Sequence, residues 1–156
     1  MGTAAARILE LQDQIAQDLV DAMRKPWERI VVNLEMEITE EGPVVNYLYF
    51  YISKRLLGGF KETEVDELPD EVSDKFKELN DAVLENAGNR WGICDLVIEG
   101  TGECKFTYDY GKPKRLNGIL DESSYGRFNN YLDTYRAERA AQKGRGRRIG
   151  SASLTR

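Results

Sequence analysis

Residues 30–53 read IVVNLEMEITEEGPVVNYLYFYIS and contain two runs in which the side chains alternate in character. A period of two is typical of β-strands. Residues 39–43, between the runs, are mostly polar and include a glycine and a proline, which favours a turn. Two strands joined by so short a connection must be antiparallel. We therefore predict a β-hairpin at the centre of a sheet that helices cover.

One face of this predicted hairpin is aliphatic and needs to be covered. We assign four large apolar residues to it and expect them to lie beneath the first and second helices. These residues are Val32, Leu34, Leu48 and Phe50.

The other predicted face carries three tyrosines at a spacing of two, Tyr47, Tyr49 and Tyr51, together with two glutamates. A tyrosine buries a large area at a low entropic cost and keeps a hydroxyl group for hydrogen bonding, so protein interfaces are rich in it. Three explanations fit this face: another element covers it, the tyrosines pair across strands, or a partner binds there.

The rest of the chain predicts three helices and a second hairpin. The helices have apolar residues at helical spacing and cover about residues 4–23, 70–86 and 122–141. The hairpin pairs residues 91–98 with residues 104–110. We predict an α+β fold with an antiparallel sheet of about four or more strands built from two hairpins, and three helices packed mainly on one face.

The 156 residues are enough for one domain, which we place at residues 1–141. Residues 142–156 show no apolar periodicity, and we predict a flexible basic C-terminal tail there that is dispensable for folding. Six of the 22 basic residues lie from Arg139 onward, so residues 1–138 hold 27 acidic residues against 16 basic ones, a net charge of −11. Such a charge favours a basic protein as partner over nucleic acid, although acidity also simply promotes solubility.

Residue types that usually carry catalysis are scarce in this sequence. It has no histidine, and its two cysteines are too few to hold zinc. The glycine pairs lack the strand–loop–helix context of a phosphate-binding loop, and no carboxylates have the spacing of a calcium loop. We therefore predict no catalytic residue, no metal site and no cofactor. With no membrane span or signal segment apparent, we expect a cytoplasmic protein.

Several segments together resemble one protein family. A helix reading DQIAQDLVDAM leads into KPWERIVVNLEME, followed by the aromatic strand VVNYLYFYISK, an acidic segment before a helix, and the late strand KFTYDYG. This order resembles the YezG-like immunity (antitoxin) family of bacterial polymorphic toxin systems over about residues 8–135. The chain departs from the family pattern in the KPKRLNG segment, where an acidic stretch is usual, and in its basic tail.

The resemblance implies a cytosolic immunity protein that binds the toxic C-terminal domain of a cognate toxin and blocks it without catalysis. That toxin domain is typically a nuclease, whose phosphate-binding cleft is basic and attracts an anionic inhibitor. We expect the following residues to bind it: Glu62, Glu64, Asp66 and Glu67, with Tyr47, Tyr49 and Tyr51 if their face is open. We expect no membrane partner and no direct contact with nucleic acid. A regulatory or adaptor domain and a carboxylate-based enzyme are the alternatives.

Overall fold

The computed structural model describes the backbone of residues 3–148 and the side chains of residues 3–143. Its centre is a five-stranded antiparallel sheet in the order β3-β2-β1-β4-β5. The strands are β1 (Arg29–Thr39), β2 (Gly42–Lys54), β3 (Phe60–Glu64), β4 (Ile93–Glu99) and β5 (Cys104–Asp109). The helices are α1 (Thr3–Ala22), α2 (Asp70–Ala87), α3 (Glu122–Tyr125) and α4 (Tyr131–Arg148), with 3₁₀ turns at Arg115–Asn117 and Gly126–Phe128. The predicted α+β class and both predicted hairpins are confirmed.

The helices α1 and α2 cover one face of the sheet and bury the main core. Their apolar residues recur every three or four positions, which gives each helix one continuous apolar side. The buried residues of those sides are Leu11, Ile15 and Leu19 in α1 and Val72, Phe76 and Leu79 in α2. They share one core with Ile30, Val32 and Leu34 of β1.

The pairing of β1 with β2 differs by one residue from the predicted pairing. Only Glu40 and Glu41 lie between the paired residues Thr39 and Gly42, so Leu34 lies opposite Tyr47. The prediction used a longer turn, whereas Gly42 adopts a φ of 108° and allows the shorter one. A shift of one residue moves every side chain of a strand to the other face.

The predicted faces of β2 are therefore wrong. The three tyrosines lie on the side of Val32 and Leu34, against α1 and α2, while Leu48 and Phe50 face away from these helices.

The C-terminal part of the chain packs on the sheet face opposite α1 and α2. The helix predicted at residues 122–141 is divided in the structure, because α3 ends at Gly126, which adopts a φ of 47°. The helix α4 then covers Val31, Phe50 and Ile52 with Tyr131 and Tyr135.

Helix α4 continues through residues 142–148, where the predicted tail begins, and residues 149–156 lie outside the described residues. Within residues 3–148, no helix is both long enough and apolar enough to cross a membrane.

Candidate functional site

The sheet face that lies opposite α1 and α2, which we call the outer face, is unusually polar. In β1 it carries Arg29, Val31, Asn33 and Glu35, all of them buried. Buried polar and charged groups need partners, because an unpaired one costs several kcal/mol. Strand β4 supplies Glu99 and Asp95 as partners of Arg29 and Asn33, and the C-terminal segment supplies the partners of Glu35. Three arginines connect the C-terminal segment to the sheet.

Arg115 joins the 3₁₀ turn Arg115–Asn117 to the strands β1 and β2. Its Nη1 atom lies 3.3 Å from Glu35 Oε2, and its Nε atom donates to Asn46 Oδ1 at 2.7 Å. The other oxygen of Glu35 accepts the backbone N–H of Leu116 at 3.0 Å. Burial lowers the pKa of Arg115, and the charge of Glu35 opposes that shift. The loop before α3 is therefore fixed on the outer face.

Arg29 joins the start of β1 to β4 and α4. It donates to both oxygens of Glu99, at 2.9 and 2.7 Å, and to Tyr131 Oη at 3.1 Å. Its guanidinium lies 4.8 Å from the ring centroid of Tyr135 and 3.0 Å from a Glu138 oxygen. Burial alone would lower the pKa of Arg29, but the hydrogen bonds to Glu99 and Tyr131 raise it above its usual value.

Arg127 makes the third connection, from the 3₁₀ turn Gly126–Phe128 to β4. It forms an ion pair with Asp95 and stacks 4.5 Å from the ring centroid of Phe128. Together the three arginines hold the C-terminal segment across the middle of the outer face, with a concave surface on each side of it.

The first concave surface, which we call the acidic groove, lies between β2–β3 and the C-terminal segment. It has a volume of about 360 Å³. Leu48, Phe50, Tyr125, Phe128 and Asn129 contribute to its lining, together with the carboxylates of Glu62, Glu64 and Asp66.

Two carboxylates of the acidic groove lie side by side on the edge strand β3. Glu64 pairs with Phe50 and Glu62 pairs with Ile52, so both belong to the outer face. Partial burial, together with the charge of Glu64, raises the pKa of Glu62. The groove therefore combines an aromatic and aliphatic floor with two carboxylates that repel each other.

Tyr47 and Tyr49 contribute to the lining of the acidic groove beside the predicted acidic residues, although their side chains pack against the main core on the other face of the sheet. Glu62, Glu64 and Asp66 are exposed and lie together in the acidic groove, while Glu67 is exposed but outside it.

The tyrosine face is covered rather than open. Tyr49 is only 6% exposed, and burial raises its pKa. Tyr47 Oη accepts the backbone N–H of Leu68 at 3.0 Å, and Tyr51 is half-buried against the core. The condition under which these tyrosines were expected to bind a partner is therefore not met.

Two aromatic residues of the acidic groove, Tyr125 and Phe128, come from the segment that the sequence pattern assigned to one continuous last helix. A local signal for their true position exists. Asp121 caps α3 by accepting the N–H of Ser123 at 2.9 Å, and Gly126 ends the helix after one turn. The break at Gly126 places Phe128 beside Phe50 at a ring-centroid distance of 6.1 Å.

The second concave surface, which we call the wide cleft, lies over β4 and β5. It has a volume of about 810 Å³ and carries charges of both signs. Asp95, Lys105, Thr107, Asp109 and Arg127 contribute to its lining. Five carboxylates and three basic side chains line this cleft, and three of the carboxylates, Asp95, Glu99 and Glu138, are already paired with arginines.

The described residues include two cysteines, Cys94 and Cys104. Both cysteines are free, and burial raises the pKa of Cys94 well above its usual value, which keeps this thiol protonated. Within the described residues, no group of three histidine, cysteine, aspartate or glutamate side chains converges as a metal site would require.

No protein-family model matches this sequence, and a search of curated proteins finds no significant match. The resemblance to the immunity family therefore stays a prediction, and the functional argument rests on the geometry of the site.

Proposed function

We propose that this chain is an immunity-type protein that binds the basic C-terminal domain of a toxin, a nuclease, and blocks it without catalysis. The acidic groove is the observation that carries this proposal. It brings Glu62, Glu64 and Asp66 together beside Phe50 and Phe128. The proposal places the protein in the cytoplasm, where a nuclease toxin acts.

The groove suits a lysine or arginine side chain of the partner. The aliphatic part of such a side chain packs on an aromatic floor while its charged end reaches carboxylates at the rim. A cation between Glu62 and Glu64 also relieves the repulsion between them. The net charge of −11 on residues 1–138 adds a longer-range attraction that speeds association with a basic surface.

The proposal predicts that a toxin-like domain is encoded beside the gene for this chain, and the test uses that domain. Charge reversal of the groove with Glu64→Lys and Asp66→Lys should abolish protection in cells that express this domain. It should also weaken binding by about tenfold or more in calorimetry, because opposite charges become like charges. Circular dichroism checks that the variant is folded.

A matched control changes the net charge equally at a distant place. Glu40 and Glu41 are exposed in the β1–β2 turn, and Glu40→Lys with Glu41→Lys should preserve protection. An equal loss of protection in both variants would show that overall charge, not the groove, determines binding. Full protection by the groove variant would place the interface elsewhere.

A further inference from the structure

Strand β5 is an open edge of the sheet. Among residues 3–148 it pairs with one strand only, β4. Its outer-face residues Lys105, Thr107 and Asp109 are exposed, while Phe106 and Tyr108 are half-buried against the core. An open edge presents unpaired backbone groups that can bond to another strand.

The direction of the backbone groups in β5 follows from its pairing with β4. Glu99 N–H donates to Glu103 O at 2.8 Å, one step beyond the pair Ile98–Cys104. Because this direction alternates along an antiparallel strand, Lys105, Thr107 and Asp109 bond to β4. The N–H and C=O groups of Phe106 and Tyr108 therefore point to the open edge.

The sequence of β5 is complementary to itself about Thr107. Lys105 and Asp109 carry opposite charges and lie two residues before and after Thr107, and the two residues between them are aromatic. An antiparallel copy of the strand, related by a two-fold axis at Thr107, places Lys105 opposite Asp109 twice. It also places Phe106 opposite Tyr108 twice.

We propose that β5 pairs with β5 of a second copy of this chain, which joins the two five-stranded sheets into one continuous sheet. The Phe106–Tyr108 pairs on each side of the axis each exchange two backbone hydrogen bonds. The Thr107 pair and the two Lys105–Asp109 pairs are non-hydrogen-bonded pairs, in which side chains approach most closely.

Two further features of the molecule favour this arrangement. Helix α1 runs beside β5, since Gln12 Nε2 donates to Tyr108 Oη at 2.7 Å. Leu9, which is 64% exposed, lies three residues earlier on the same side of the helix and adds apolar area next to the contact. The other edge strand, β3, carries Lys61, Glu62 and Glu64 in five residues, a charge density that opposes strand addition.

Two-fold pairing also removes the open edge of β5. An isologous contact closes with two copies, so no free β5 edge remains for further growth. The two acidic grooves then lie near the far ends of the joined sheet, over β2 and β3. The proposal is thus independent of the proposed function.

Disulfide cross-linking tests the proposed β5–β5 pairing directly. Paired Thr107 residues have Cα atoms about 4.5 Å apart, within the span of a disulfide of about 4.4–6.8 Å. Thr107→Cys in a Cys104→Ser background should form a covalent dimer under mild oxidation. Thr63→Cys in the same background, on the opposite edge strand, should remain monomeric. Absence of the Thr107→Cys dimer, or equal cross-linking of both variants, would overturn the proposal.

Charge-swap variants test the register of the β5–β5 pairing through the dimer dissociation constant. Lys105→Glu places like charges opposite each other twice and should raise the dimer dissociation constant by about tenfold in sedimentation equilibrium. The double variant Lys105→Asp with Asp109→Lys should restore it, and Lys61→Glu on β3 should leave it unchanged. A monomeric wild-type protein at about 300 µM would overturn the proposal. Dimerisation that Lys105→Glu does not weaken would overturn it as well.

Discussion

Arg115 Nη1 lies 3.3 Å from Glu35 Oε2, and both side chains are buried. This pair joins residues that are distant in sequence and fixes the loop before α3 on the central strand. The guanidinium also lies 5.9 Å from the ring centroid of Tyr125, which lines the acidic groove. The ion pair is thus structural, and it determines where one wall of the groove stands.

Removing only Arg115 should be more damaging than removing both partners. Arg115→Met leaves Glu35 buried without its counter-charge and should cost about 3–5 kcal/mol of unfolding free energy. The double variant Arg115→Met with Glu35→Met should recover a large part of that loss, since buried apolar side chains replace the pair. Urea denaturation measures both.

The control is Arg136→Met, which removes an exposed arginine paired with Asp133 and should change stability by less than about 1 kcal/mol. If the double variant is as unstable as Arg115→Met, the unpaired charge of Glu35 is not the cause of the lost stability.

The register of the first hairpin makes a second prediction. Tyr49 is buried beneath the helices, so Tyr49→Ala should cost about 3–5 kcal/mol, comparable to the loss of other buried aromatic side chains. Leu48 is only half-buried, so Leu48→Ala should cost roughly half as much or less. Thermal or urea denaturation compares the two, and the opposite order would support the pairing predicted from the sequence.

A third prediction concerns the hydroxyl group of Tyr47. It accepts the Leu68 N–H at 3.0 Å and ties the segment before α2 to β2. Tyr47→Phe should therefore cost about 0.5–1.5 kcal/mol, the usual net value of one hydrogen bond. Tyr51→Phe is the matched control on the same strand face, because the described residues supply no hydrogen bond to its hydroxyl. Equal effects of the two substitutions on the melting curve would argue against the Tyr47–Leu68 bond.

The sequence pattern was informative where local periodicity alone determines structure. The apolar residues of α1 and α2 predicted both helices, and the alternation in residues 30–53 predicted both strands. The predicted faces of β2 were wrong because they depend on whether the turn holds two residues or more. The alternation within each strand is the same in either case, so it does not reveal the length of the turn.

The candidate site was predicted only in part for a related reason. Glu62, Glu64 and Asp66 were predicted together because they are close in sequence, and the structure places them in one groove. Phe128 reaches them from the C-terminal segment only because α3 ends at Gly126 and Arg115 fixes the preceding loop. The pairing of Arg115 with Glu35, 80 residues earlier in the sequence, leaves no signal in the periodicity of either segment.

The last prediction separates stability from binding at Glu62. Its raised pKa results from partial burial and from the charge of Glu64, so the ionised form is disfavoured in the folded protein. A carboxylate whose pKa is higher in the folded state than in the unfolded state takes up its proton more readily on folding. Its unfavourable contribution is therefore present at neutral pH and disappears as the pH falls through that raised pKa. Because Glu62 is largely exposed, we expect Glu62→Gln to stabilise the fold by no more than a few tenths of a kcal/mol at neutral pH.

Binding should respond in the opposite direction, because a basic partner requires the ionised carboxylate. Glu62→Gln should weaken binding to the neighbouring toxin-like domain at neutral pH. The wild-type affinity should fall as the pH drops through the pKa of Glu62, and this decline should be smaller in the variant. Calorimetry over a pH series measures both, with Glu40→Gln in the exposed turn as the control. A Glu62→Gln variant that binds like the wild type at every pH would remove Glu62 from the interface and leave Glu64 and Asp66 to be tested separately.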